Sequence, residues 1–227
     1  MKRAENKGSN KLGVMIAALV AVVVIVAGFI FFNPFGGSKS SNTAKKATGT
    51  SSTKQETKYE PSQEEKDYLK NRFAQLTSVN PEAIAYVYAP GTQLDEPVVQ
   101  TKDNETYLNK TFDGGNEPYM GTVFMDMDNK KDFSDRLTWL FGHARGSKVG
   151  DHRMFNDVNY YDKQEYFDQH PYVVIETPER KYYYEAMCLV IVPETTAFYR
   201  TSFKDDKDFT TQLKKVYEDG QTKNPNI

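Results

Sequence analysis

Cysteine is nearly missing: the 227 residues contain one, Cys188. That excludes an intramolecular disulfide framework and any zinc module built on several thiolates. A charge excess of either sign is missing too. The 29 Lys+Arg almost cancel the 31 Asp+Glu, for a formal net charge of −2. Neither a strongly basic nucleic-acid binder nor an acidic disordered tail fits that balance, so no nucleic-acid partner is expected. No glycine-rich phosphate loop follows a strand and opens a helix, and no G-x-S-x-G or H-E-x-x-H motif occurs. No internal repeat is visible, and no cofactor is expected.

Aromatic residues are abundant, with 15 Tyr and 14 Phe against a single Trp. So many tyrosines suit strands with one wet face. One long apolar run stands out. Residues 12–32 carry no charge and as a helix would span about 30 Å, the thickness of a bilayer's hydrocarbon core. The run ends in Phe31-Phe32-Asn33-Pro34-Phe35, a poor cleavage site for a signal peptide. It therefore predicts an uncleaved transmembrane anchor. Lys2, Arg3, Lys7 and Lys11 precede it against Glu5 alone, which keeps residues 1–11 in the cytoplasm and sends the remainder outside. Residues 33–60, rich in Gly, Ser, Thr and Lys, read as a flexible linker. Residues 61–227 are then one extracellular domain, long enough for a real core.

Within that domain, Ser62 and Glu65 form a capping box, and Leu69, Phe73 and Leu76 share one helical face. The helix should end before Asn80-Pro81. The period then changes to two. Strands are expected over residues 84–88, 97–99, 121–125 and 137–141, and a hairpin from 172–176 and 181–192 around Thr177-Pro178-Glu179-Arg180. A short helix over 162–169 would use Asp162 and Glu165 as its capping pair, and an amphipathic helix over 203–218 would stop at Gly220. Many short strands with peripheral helices favour a mostly antiparallel β-barrel or sandwich.

The strongest chemical feature is the Gly142-His143 step, where an apolar strand runs into a polar loop. A histidine at a strand end suits a general acid or base, and a partly buried structural histidine fits the same residues. Asp151-His152 matches no metal-ligand spacing, so no metal is expected. His170, at the end of a helix, reads as structural. Cys188 lies in an apolar run, where burial raises a thiol's pKa and makes it a poor nucleophile.

An ordered set of segments resembles a known family. It runs through Glu96-Pro97-Val98-Val99-Gln100, Lys102-Asp103-Asn104, Tyr107-Leu108-Asn109, Gly121-Thr122-Val123-Phe124, Phe141-Gly142-His143, Met154-Phe155, Phe167-Asp168-Gln169-His170-Pro171-Tyr172 and Tyr199-Arg200-Thr201-Ser202-Phe203. Together they look like a sortase, most like class B. The resemblance implies a sortase-like β-barrel and an extracytoplasmic cysteine transpeptidase of Gram-positive bacteria. Such an enzyme cleaves a C-terminal sorting motif and attaches surface proteins to the cell wall. The implied partners are a surface protein bearing that motif and the amine of a cell-wall peptide precursor. His143 matches the catalytic histidine. Asn104, Leu108 and Phe141 match positions lining the substrate groove, and Thr195 and Tyr199 fall in what resembles the loop that grips the motif. The family's nucleophile sits in a Thr-Leu-x-Thr-Cys strand followed by an arginine. Neither occurs here: the sequence reaches Asn224-Pro225-Asn226-Ile227 just after the helix that precedes that strand. The resemblance thus implies a barrel incomplete at its C-terminus and no activity for residues 1–227 alone. A non-catalytic, membrane-tethered relative that binds a sorting peptide or wall component is the alternative. An exported β-rich binding module without enzymatic ancestry is a third reading, which the ordered motifs disfavour.

Overall fold

The computed structural model describes residues 20–26 (by backbone pairing), 59–146, 148–193 and 196–227. Among these residues seven strands form one sheet: β1 (Val20–Val26), β2 (Ala83–Tyr88), β3 (Asp95–Val99), β4 (Val123–Met125), β5 (Leu137–His143), β6 (Tyr172–Glu176) and β7 (Lys181–Glu185). Their order is β1-β5-β4-β3-β2-β6-β7, with β3 and β4 parallel and the other described pairs antiparallel. The chain is mostly β with peripheral helices. Among the described residues the sheet stays open at β1 and β7, so a closed barrel is not formed.

Helix α1 (Gln63–Val79) starts where the capping box predicts, with Ser62 Oγ accepting from Glu65 N at 3.1 Å. The return half of the box is redirected, because Glu65 accepts instead from Lys181 N, 3.1 Å away at the start of β7. The helix buries Leu69 and Phe73. Arg72 lies over the Tyr86 ring at 3.8 Å and pairs with the buried Glu176 at 2.8 Å. Val87, Val98, Val123, Leu140, Phe155 and Ile175 form one buried apolar cluster against the sheet.

Three expectations meet a different or partial outcome. Residues 12–32 were expected to form a membrane helix; only Val20–Val26 of that run is described, and it runs as strand β1 along β5, from Val20↔His143 to Val26↔Leu137. A run of Val and Ile has a strong strand preference, and the edge of β5 offers unpaired backbone groups to satisfy it. No helix among the described residues is long and apolar enough to cross a membrane. The rest of that run, and residues 33–58, lie outside the described residues. Second, the strand expected over 181–192 breaks. Ala186 N donates to Pro171 O at 2.7 Å, and Cys188–Leu189 becomes β8, paired with β9 (Thr222–Lys223) in a separate ribbon. Third, α2 (Gln164–Gln169) is preceded by Lys163, not capped by Asp162, which closes the 3-10 helix Asn156–Asp162. Helix α3 (Asp206–Glu218) is capped by Asp205, whose Oδ1 accepts from Asp208 N at 2.8 Å.

Glu96 of β3 is buried, and its Oε1 accepts from Met154 N at 2.6 Å. That bond fixes Met154 at φ +60°, a left-handed conformation uncommon for a side chain of this size. Burial is the main cause that raises the Glu96 carboxyl to about 7. Its folded pKa therefore exceeds the unfolded value of 4.5, and between those values the folded state binds the extra proton. The stabilisation is complete below pH 4.5 and is lost as pH rises to about 7. Urea titrations of Glu96→Gln should show this loss, on the order of 3 kcal/mol, flattened relative to the parent chain. Parallel pH profiles would contradict it.

Candidate active site

Strand alternation places Leu137, Trp139, Phe141 and His143 on one face of β5 and Leu140 and Gly142 on the other. Gly142 is required by closeness: an added Cβ would lie 2.9 Å from the Phe155 ring and 3.2 Å from Val123. Phe155 N donates to His143 O at 3.0 Å and holds the strand end. His143 is buried, with Nε2 2.7 Å from the carbonyl oxygen of Leu108. A carbonyl only accepts, so this partner assigns the ring proton to Nε2. Nδ1 is left as the atom able to take up or release a proton.

Leu108 ends the 3-10 helix Thr106–Leu108. Asp103 ties down its start by accepting from Glu105 N at 3.0 Å and Thr106 N at 2.7 Å. Leu108 and Phe141 both pack against Val99, Tyr107 and Phe124. From there an aromatic wall continues. Phe141 lies 5.2 Å from Phe124 and 6.2 Å from Tyr199, and Tyr199 lies 5.4 Å from Trp139. The loop carrying Tyr199 is fastened by Trp139 Nε1 donating to Arg200 O at 2.7 Å, and by the Arg200–Asp208 pair at 2.6 Å. Tyr199 Oη donates to Asp126 Oδ2 at 2.6 Å, and Asn104 Nδ2 donates to the same oxygen at 2.8 Å. Burial and that carboxylate push the Tyr199 hydroxyl well up, so it stays a donor.

A continuous chain of contacts thus joins Asn104, Leu108, Phe141, Tyr199 and His143. Thr195 lies outside the described residues. Sequence reasoning missed Asp126, the Leu108 carbonyl and Gly121. Asp126-Met127-Asp128-Asn129 reads only as a polar turn, and a backbone carbonyl leaves no mark in sequence.

The other candidates sit apart from this chain of contacts. Cys188 is half-buried, its thiol donates to Val216 O at 3.7 Å, and burial pushes it up to about 11. His152 Nδ1 lies 2.6 Å from Oδ1 of the buried Asp157. The His170 ring packs tilted against Tyr166 at 4.1 Å. Arg145 pairs with Asp151 at 2.8 Å. No group of three or more His, Cys, Asp or Glu among the described residues could hold a metal ion.

No family model matches the chain. Among curated proteins it is 28% identical over 143 residues to sortase B of Staphylococcus aureus, covering 63% of this chain and 57% of that protein. It is 27% identical over 150 residues to sortase B of Listeria monocytogenes, covering 65% and 58%. The chain therefore spans just under three fifths of the length of these relatives. Among solved structures, the S. aureus sortase B-substrate complex superposes with a TM-score of 0.63 at 26% identity, covering 69% of this chain and 70% of that one. Sortase B from B. anthracis superposes with a TM-score of 0.58 at 26% identity, with the same coverage.

Proposed function

We propose that this class B sortase-like chain supplies the peptide groove and the general acid of a cysteine transpeptidase. Its substrate is the C-terminal sorting motif of a surface protein, and its acceptor is an amine of a cell-wall peptide precursor. The observation that carries this reading is the continuous wall from Asn104 through Tyr199 and Phe141 to Leu108 and His143. A thiolate attacks the Thr carbonyl of the motif. His143 takes the thiol's proton on Nδ1 as the thiolate forms and, held by Leu108 on Nε2, gives that proton to the departing amine, so the peptide bond breaks without expelling an amide anion. The acceptor amine then resolves the thioester.

Within residues 1–227 the sole thiol is Cys188. It is protonated at neutral pH and turned to Val216. Residues 1–227 alone should therefore bind a sorting peptide without cleaving it. Fluorescence anisotropy with a labelled class B-type sorting peptide tests this. Phe141→Ala should weaken binding about 10-fold, the usual loss for an aromatic anchor. No binding by the unsubstituted chain would refute the groove. Cleavage that Cys188→Ala abolishes would refute the role given to that thiol.

At a membrane, residues 12–32 leave the edge of β5 and act as a single-pass anchor with residues 61–227 outside the cell; the uncharged run and the four basic residues before it support this reading. Protease added to intact protoplasts should remove the folded domain. A fully protected domain would reverse the topology.

A further inference from the structure

Asp126 follows β4 and is fully buried. Its backbone is clamped, with N donating to Trp139 O at 3.0 Å and O accepting from Gln100 Nε2 at 2.7 Å. No cation pairs with its carboxylate among the described residues. Oδ1 accepts from Asp128 N at 2.9 Å, and Oδ2 accepts from both Asn104 Nδ2 and Tyr199 Oη. A buried carboxylate without a cation is costly, and an apolar or amide side chain would serve the core better. What the carboxylate alone provides is one oxygen that takes two donors from separate loops while the other oxygen takes a third.

We propose that Asp126 is a positioning residue of the peptide groove: it sets the Asn104 amide with one N–H free for a peptide carbonyl and holds Tyr199 across Trp139 and Phe141. This deepens the proposed function and rests on it. Asn104 Oδ1 accepts from Met127 N at 2.9 Å, so both ends of its amide are oriented. Nδ2 carries two hydrogens, and only the one given to Asp126 has a protein acceptor among the described residues. Asn104 is half-buried, so the second is left for a carbonyl oxygen of an extended peptide. Tyr199, 48% exposed, keeps its outer face available to the same ligand.

Asp126→Asn tests the assignment, because an amide cannot satisfy all three donors. With its oxygen at the Oδ2 site, its NH₂ faces Asp128 N–H. Flipped, its NH₂ faces the NH₂ of Asn104. In the full chain, Asp126→Asn should lower affinity for the labelled class B-type sorting peptide about 10-fold, as the loss of a charge-assisted bond does. Tyr199→Phe should lower it less. The double variant should bind within about twofold of Asp126→Asn, since both act through one oxygen. The paired Nδ2H₂ resonances of Asn104 in a ¹⁵N spectrum should also shift in Asp126→Asn, which general loss of stability does not produce. Where Asp126→Asn does not fold, Asn104→Ala and Tyr199→Phe carry the test, and their combined loss should be less than additive. Unchanged affinity in Asp126→Asn while Phe141→Ala still weakens binding overturns the positioning role and leaves the groove standing. Fully additive losses overturn it as well. No binding by the unsubstituted chain overturns both readings.

Discussion

Joining the cysteine- and arginine-bearing segment of a class B sortase after residue 227 should turn a peptide-binding chain into a transpeptidase, and His143→Ala should then lower kcat at least about 10²-fold. Covalent acyl transfer needs a thiolate, a proton donor and an oxyanion donor converging on one carbonyl. On the proposed function, residues 1–227 supply the second of these. With its pKa near 11, Cys188 leaves on the order of one thiolate in 10⁴ at pH 7. His143 is set apart from the other two histidines by its place at the end of the groove wall. His152 is tied to Asp157 and His170 is packed against Tyr166, so His152→Ala and His170→Ala should change the rate only a few-fold at most. Strand β1 occupies the edge of β5 beside His143. The chimera is therefore best built from residue 59 onward, leaving that edge free to pair. Product formation with an amine acceptor, followed by chromatography, reads the result. Turnover that survives His143→Ala and fails in His152→Ala would move the general acid to His152. Turnover that fails in Cys188→Ala would move the nucleophile to Cys188.

Short-range features of the fold are legible in the sequence because their partners lie within a turn. Ser62 and Glu65 are three residues apart, and the start of α1 follows from them. The hairpin around Thr177 is legible for the same reason. Features decided by distant partners are not. The apolar run after Lys181 reads as one strand, but Ala186 turns to Pro171 and Cys188 pairs with Lys223. The Val-rich run at 20–26 satisfies a bilayer and a sheet edge equally well by composition. The place of His143 at a strand end is legible from its Gly-His step. Its tautomer is not, because Leu108 is 35 residues away and contributes a backbone atom. Asp126 is illegible because its meaning comes from two loops, at Asn104 and Tyr199, that meet only in the fold.

The same dependence on a backbone atom makes Gly121→Ala the most damaging small substitution at the site, with a loss of at least about 3 kcal/mol expected from overpacking against rigid atoms. Gly121 sits at φ +62°, and a Cβ there would lie 2.1 Å from Tyr107 O, 2.7 Å from Leu108 O and 2.8 Å from Leu108 C. None of these is the tip of a flexible side chain. Tyr107 O is already fixed by Thr122 N at 3.0 Å, and the Tyr107 side chain is buried. Relief requires the 3-10 helix Thr106–Leu108 to move as a unit. That movement withdraws the Leu108 carbonyl from His143 Nε2, so the imidazole loses the partner that holds its proton there. Gly114→Ala separates the two causes. Gly114 has φ +90° but nothing within 4 Å of an added Cβ, so it carries conformational strain alone, about 1 kcal/mol. Urea denaturation of the two variants should therefore differ by at least about 2 kcal/mol. In ¹⁵N imidazole spectra, Gly121→Ala should show His143 with mixed tautomers while Gly114→Ala keeps the Nε2–H form. Equal stability of the two variants, with the Nε2–H form intact in both, would show that the Leu108 carbonyl does not depend on Gly121 for its place.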